Sequence, residues 1–176
     1  FIPPKPAERP WETCMTMNTS WGYNRDDREY KSATRLIHTL CEVAGRGGHF
    51  LLNVSPMGDG MLPPEHAERL SVIGDWMSRN RESIRGTDAG LEPYQFYGPT
   101  TKKGNTVYLH LLMKPYETVT LRNLHVNKVK SVRTLAKGTD LKYSKHLGAN
   151  DQIMEGLGFT DPMGDLIIEV PSSVLD

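Results

Sequence analysis

The chain has 176 residues, 38% of them hydrophobic and 24% charged, with 21 basic residues balanced by 21 acidic ones. A chain of this size buries about two-thirds of its unfolded surface, enough for one ordinary domain or two small ones. Zero formal charge argues against nucleic acid or an anionic membrane as partner, since both reward a basic surface, and no apolar run approaches a membrane span.

The opening FIPPKPAERP holds four prolines in ten residues and reads as a linker, a processed end or the cut edge of a fragment. WETCMTMNTSWGYN follows at 11–24, with Trp11 and Trp21 ten residues apart. It has no sustained helical or strand period, although 13–17 suit one short strand. The two cysteines, Cys14 and Cys41, make no disulfide framework, and two reduced thiols in or near a core are expected.

Residues 29–44, EYKSATRLIHTLCEVA, place Ala33, Leu36, Ile37, Leu40 and Ala44 at spacings of three and four, a helical stripe closed by Gly45, Gly47 and Gly48. HFLLNVSP at 49–56 is short and apolar and reads as a buried strand wanting parallel neighbours. SPMGDG at 55–60 is a loop signal. Pro63 and Pro64 start a second helix and Glu65 suits its positive end. Leu70, Ile73, Met77 and Ile84 line its inner face, with Val72 and Trp76 beside them.

After Gly86 the period becomes two. NTVYLHLLM (105–113) sets Val107, Leu109, Leu111 and Met113 on one face. Further strands are expected around Val119 and Leu121, at 128–135 (KVKSVRTL) and at 165–170 (DLIIEV), with turns at Lys114-Pro115, Gly138-Thr139 and Asp161-Pro162. The expected fold is α/β plus all-β, divided at 1–87 and 88–176. One helix-strand-helix piece cannot cover both faces of a parallel sheet, so the first half reads as the end of something larger or a small partial sheet.

WETCMTMNTSWGYN and GRGGHFLLNVSPMGDGMLPPEHAERLSVIGDWMSRNRESIRGT together resemble the glycoside hydrolase family 29 α-L-fucosidases. That family has Trp-Glu-x-Cys, Ser-Trp-Gly-Tyr and Gly-Gly-Asn-x-Leu-Leu-Asn-x-Gly-Pro followed by Asp-Gly. This sequence departs from it with His49 for Asn and Ser55 for Gly. The match is strong over 9–87 and rests mainly on element order over 88–176.

The resemblance implies the last part of a (β/α)8-like catalytic barrel followed by an antiparallel β-sandwich, in a retaining enzyme that cleaves terminal α-L-fucosyl bonds with two carboxylates about 5 Å apart. Glu12 matches the acid/base, with Trp11 beside it to limit solvent. Trp21 is the expected wall for the fucose methyl and apolar sugar face, and Trp11 a lesser contact. The family's nucleophile is an aspartate on an earlier strand, and neither Asp26 nor Asp27 matches its motif. Asn53 and Asp59 read as turn support, Tyr23 as structural, and Cys14 lacks a His partner.

No cofactor or metal is expected from six scattered histidines. The partner the resemblance implies is a fucosylated oligosaccharide or glycoconjugate, with a homo-oligomer or a missing N-terminal catalytic segment expected to complete the site. A non-catalytic carbohydrate-binding or structural module and a complementing fragment stand as alternatives. The resemblance is compatible with extracellular, periplasmic or lysosomal settings, and the residues select none.

Overall fold

The computed structural model describes residues 1–158 and 161–174. It forms two compact units, residues 1–91 with 99–110, and residues 92–98 with the described residues from Leu111 onward. The packed units therefore interleave in sequence.

In the first unit, β1 (Glu12–Thr16) pairs in parallel with β2 (His49–Asn53), from Glu12↔His49 to Thr16↔Asn53. A parallel pair needs a crossover, and α1 (Ala33–Gly45) supplies it. α1 starts at Ala33, the first residue of the apolar stripe, four residues after the segment 29–44 begins. Lys31 is used elsewhere, its backbone N–H donating to Met17 O at 2.8 Å and its Nζ to Asn18 O at 2.6 Å. Ser32 then caps the helix by accepting from Arg35 N. Leu36, Cys41 and Val43 are buried along it. The helix closes through Gly47 at φ +72 and Gly48, which leaves no room for a side chain: a Cβ there would stand 2.3 Å from the Trp11 ring.

α2 (Pro64–Asn80) begins at a proline with Glu65 in its first turn, as expected. His66 is the buried residue of this helix, and Val72 is 44% exposed. Ile84 lies beyond α2 and the 3₁₀ turn Arg81–Ser83 that follows it. A two-stranded sheet is too narrow to cover the whole apolar face of such a helix. An antiparallel sheet completes the unit, in the order β3 (Asp88–Ala89), β4 (Thr100–Lys103), β5 (Thr106–Leu109). The strand expected across 105–113 thus ends at Leu109. His110 N–H turns to Pro99 O, and Met113 is 70% exposed.

The second unit is an antiparallel sheet in the order β6 (Thr118–His125), β8 (Met163–Glu169), β7 (Tyr143–Leu147), with α3 (Ala149–Gly156) after β7. Val119, Leu121, Leu166 and Ile168 are buried in its core with Phe96, Val126 and Val170. Gly164 permits the close approach of β7: a Cβ there would lie 2.6 Å from His146 O. A bulge interrupts β6 between Leu121 and Leu124, with Asn123 at φ 53. The strand expected at 128–135 does not form. A 3₁₀ turn occupies Val126–Lys128, and Thr134 closes a turn onto Thr139 around Gly138 at φ +63, leaving an isolated Arg133↔Asp140 bridge.

Candidate active site

Because β1 and β2 run parallel, their C-terminal ends share one edge, where the chain enters two loops, 17–32 and 54–63. Trp21 belongs to the first loop and its carbonyl is fixed to the second. Asn53 Nδ2 donates to Trp21 O at 2.8 Å and Ser55 Oγ donates to the same oxygen at 3.1 Å. Ser55 is 2% exposed, and its backbone N–H points to His66 Nδ1 at 3.5 Å. His66 is buried, and burial holds its imidazole below the ordinary 6.5. The Tyr30 ring meets His66 edge-on at 5.6 Å and Arg69 lies 5.1 Å from the same ring.

Asp27 organises the first loop from within. Its Oδ2 accepts from Thr19 N, Thr19 Oγ1 and Ser20 Oγ at 3.0, 2.7 and 2.7 Å, and its Oδ1 accepts from Glu29 N at 3.1 Å. Hydrogen bonds from Thr19 and Ser20, joined by the Glu29 and Thr19 amides, pull its carboxyl down to about 2. The Trp21 side chain projects from this held loop and is 62% exposed.

Glu12 lies elsewhere. It opens β1, in register with His49, at the edge opposite Trp21. Four residue steps of strand, roughly 13 Å, separate it from Thr16. The strand pair therefore carries Glu12 and the Trp21 carbonyl at opposite ends. Glu12 is exposed, so Trp11 does not shield it as expected, and its Oε1 lies 3.8 Å from Cys14 Sγ. Glu12, Cys14, His49 and Leu51 share one exposed face of the pair, Leu51 being 50% exposed. Trp11 donates its indole N–H to Arg46 O at 3.1 Å and packs on Gly48.

Both cysteines are free, Cys14 exposed and Cys41 buried, so no disulfide links them. Asp59 accepts from Met61 N at 2.9 Å, the local turn expected of it. Asn53 instead reaches 32 residues back along the chain. Among the described residues no group of three His, Cys, Asp or Glu could hold a metal ion. Sequence reasoning missed the roles of Asp27, Ser55 and His66. Ser55 was visible only as a departure from a motif, and a buried acceptor such as Asp27 looks in sequence like any loop aspartate.

The family model described as Alpha-L-fucosidase matches residues 1–82, the stretch that holds β1, α1, β2, α2 and both loops. The α-L-fucosidase of Dictyostelium discoideum is 33% identical over 141 residues, covering 77% of this chain and 30% of that protein. This chain belongs to the α-L-fucosidase family. The tissue α-L-fucosidase of Bos taurus is 32% identical over 153 residues, 82% of this chain and 32% of that one. The solved α-L-fucosidase isoenzyme 1 of Paenibacillus thiaminolyticus superposes with a TM-score of 0.75 at 27% identity, over 97% of this chain and 44% of its own. The chain thus spans about a third of the length of these curated fucosidases.

Proposed function

We propose that this chain is part of a retaining α-L-fucosidase that hydrolyses terminal α-L-fucosyl bonds of oligosaccharides or glycoconjugates. The observation that carries this is the family match over 1–82, which includes WETC at the start of β1 and SWGYN in the loop after it. Glu12 is the acid/base: it protonates the leaving oxygen and then activates water. Its exposed carboxylate lies on the sheet face that, in a closed (β/α)8-like barrel, would look inward. Trp21, held at the opposite end of the strand pair from Glu12, offers an exposed ring to an apolar sugar face of the glycan, and Trp11, its N–H already committed, a half-buried one beside Glu12. The β–α alternation of β1 to α2 supports residues 1–87 as a barrel segment, and the antiparallel sheet of β6, β8 and β7 supports a β domain in the later part of the chain, β3 to β5 packing with the first unit.

A retaining mechanism needs a second carboxylate about 5 Å from the first. Asp27 and Asp59 are engaged in their own loops, and Asp26 stands in a turn with its N–H on Asn24 Oδ1. The 176-residue chain alone therefore supplies half of the pair, and a further segment or a second copy supplies the other half. The test is hydrolysis of an aryl α-L-fucoside by the homogeneous chain beside Glu12→Gln. Negligible turnover by both is expected. Turnover that Glu12→Gln abolishes would overturn the half-site reading.

A second reading, sugar binding without hydrolysis, is favoured by the 62% exposure of Trp21 on a held loop. It predicts saturable L-fucose binding by a protein that stays inactive in every natural form.

A further inference from the structure

We propose that Ser55 is a positioning residue that presets Trp21 as a sugar platform. The proposal rests on the reading of Trp21 given above. The Trp21 ring is 62% exposed, so little packing orients it. Gly22 follows it, with open space where a side chain would stand, and glycine backbone is free to turn. The direction in which the Trp21 Cα–Cβ bond leaves the loop, and so the region the indole sweeps, is therefore set by the backbone on either side. Before Trp21, Asp27 holds Thr19 and Ser20. After its Cα, the Trp21–Gly22 peptide is held through its carbonyl by Asn53 and Ser55.

These two donors are not equivalent. Asn53 is half-buried and water can take over from its amide. Ser55 is 2% exposed, and a buried hydroxyl lost there is not replaced by solvent. Nor is Ser55 a nucleophile: its hydroxyl donates to a carbonyl, and the neighbouring imidazole nitrogen faces its backbone N–H. That contact with buried His66 fixes Ser55 on the α2 side, so the bond to Trp21 ties the exposed loop to the core of the first unit.

The experiment is ¹⁹F NMR of the longest natural form of the protein carrying this chain, labelled with 5-fluorotryptophan and titrated with L-fucose. The Trp21 signal is assigned by its loss in Trp21→Phe. In the unsubstituted chain fucose should shift that signal saturably. Ser55→Ala should weaken the apparent affinity about three- to tenfold and broaden the signal, while Ser55→Thr, which keeps the hydroxyl, should restore both. Equal affinity and linewidth in Ser55→Ala and the unsubstituted chain would overturn the positioning role while leaving Trp21 as platform intact. No response of Trp21 to fucose would overturn the platform itself. Amide relaxation of the unsubstituted chain needs no variant: order parameters at Trp21 and Gly22 near about 0.85 are expected, and values under about 0.6 would overturn the proposal even if Ser55→Ala fails to fold.

Discussion

His110 makes the stability of the first unit depend on pH. It is 7% exposed, and its Nε2 lies 3.1 Å from Thr101 Oγ1. The Thr101 hydroxyl is itself buried and donates to Ser83 O, so it accepts from His110 Nε2–H, and the imidazole is neutral with its proton on Nε2. Burial pushes this imidazole from 6.5 down to about 4. The unfolded chain takes up the proton near pH 6.5 and the folded chain only near pH 4. The folded value is depressed, so the contribution is complete above the unfolded value and is lost as pH falls toward the folded one. A gap of that size is worth about 3 kcal/mol, a large part of an ordinary stability of about 5–15 kcal/mol. His66, also lowered by burial, acts with the same sign, whereas Asp27 and Asp161 are held below 3.8 and titrate at lower pH. All three tryptophans, Trp11, Trp21 and Trp76, lie in the first unit, so their emission reports that unit alone. Urea unfolding followed by this emission should lose about 2.5 kcal/mol between about pH 7.5 and pH 4.5, and His110→Gln should remove most of the loss. Equal losses in both proteins, or a flat profile in the unsubstituted chain, would refute the reasoning.

Asp27→Ala should speed amide exchange at Thr19 and Glu29, whose N–H groups it accepts, while exchange in α1 stays slow. Since the Asp27 carboxyl is depressed to about 2, the loop should keep its order above pH 3.8 and lose it as pH falls toward 2, an outcome readable in the same exchange measurement. Gly164→Ala places a Cβ 2.6 Å from a backbone oxygen of β7 and should destabilise the second unit by about 1–3 kcal/mol, seen as a lower midpoint in a circular-dichroism melt. In the folded chain one thiol should react with a disulfide reagent at once. Cys14 is exposed, whereas burial raises the Cys41 thiol to about 12, so Cys41 should react only after unfolding.

Local signals were legible where one element satisfied them alone. The α1 stripe, the Pro63-Pro64 start of α2 and the alternation that buries Leu166 and Ile168 on β8 all appear where the residues point. What escaped depends on distant partners. Lys31 leaves the helix because Met17 and Asn18, which follow β1, take its backbone and side chain. β7, YSKHL, has an apolar residue only at each end and is a strand because β8 offers its edge. The apolar alternation of 105–113 outran its strand, since β5 stops where His110 turns back to Pro99. The site divides in the same way. Glu12 and Trp21 are proposed by resemblance to a motif, but their placement at opposite ends of the strand pair, and the Asn53–Ser55 hold on Trp21, exist only once β1 and β2 are side by side.

The central claim is that Glu12 is the acid/base of an α-L-fucosidase. It is tested most directly in the longest natural form of the protein carrying this chain, by comparing Glu12→Gln with the unsubstituted enzyme on aryl α-L-fucosides of good and poor leaving groups. The account predicts that the substitution slows poor leaving groups by about 10²–10⁴-fold, slows activated ones far less, and is partly rescued by azide, which needs no general base. Equal rates with and without the substitution, or the same loss for every leaving group with no azide rescue, would contradict it.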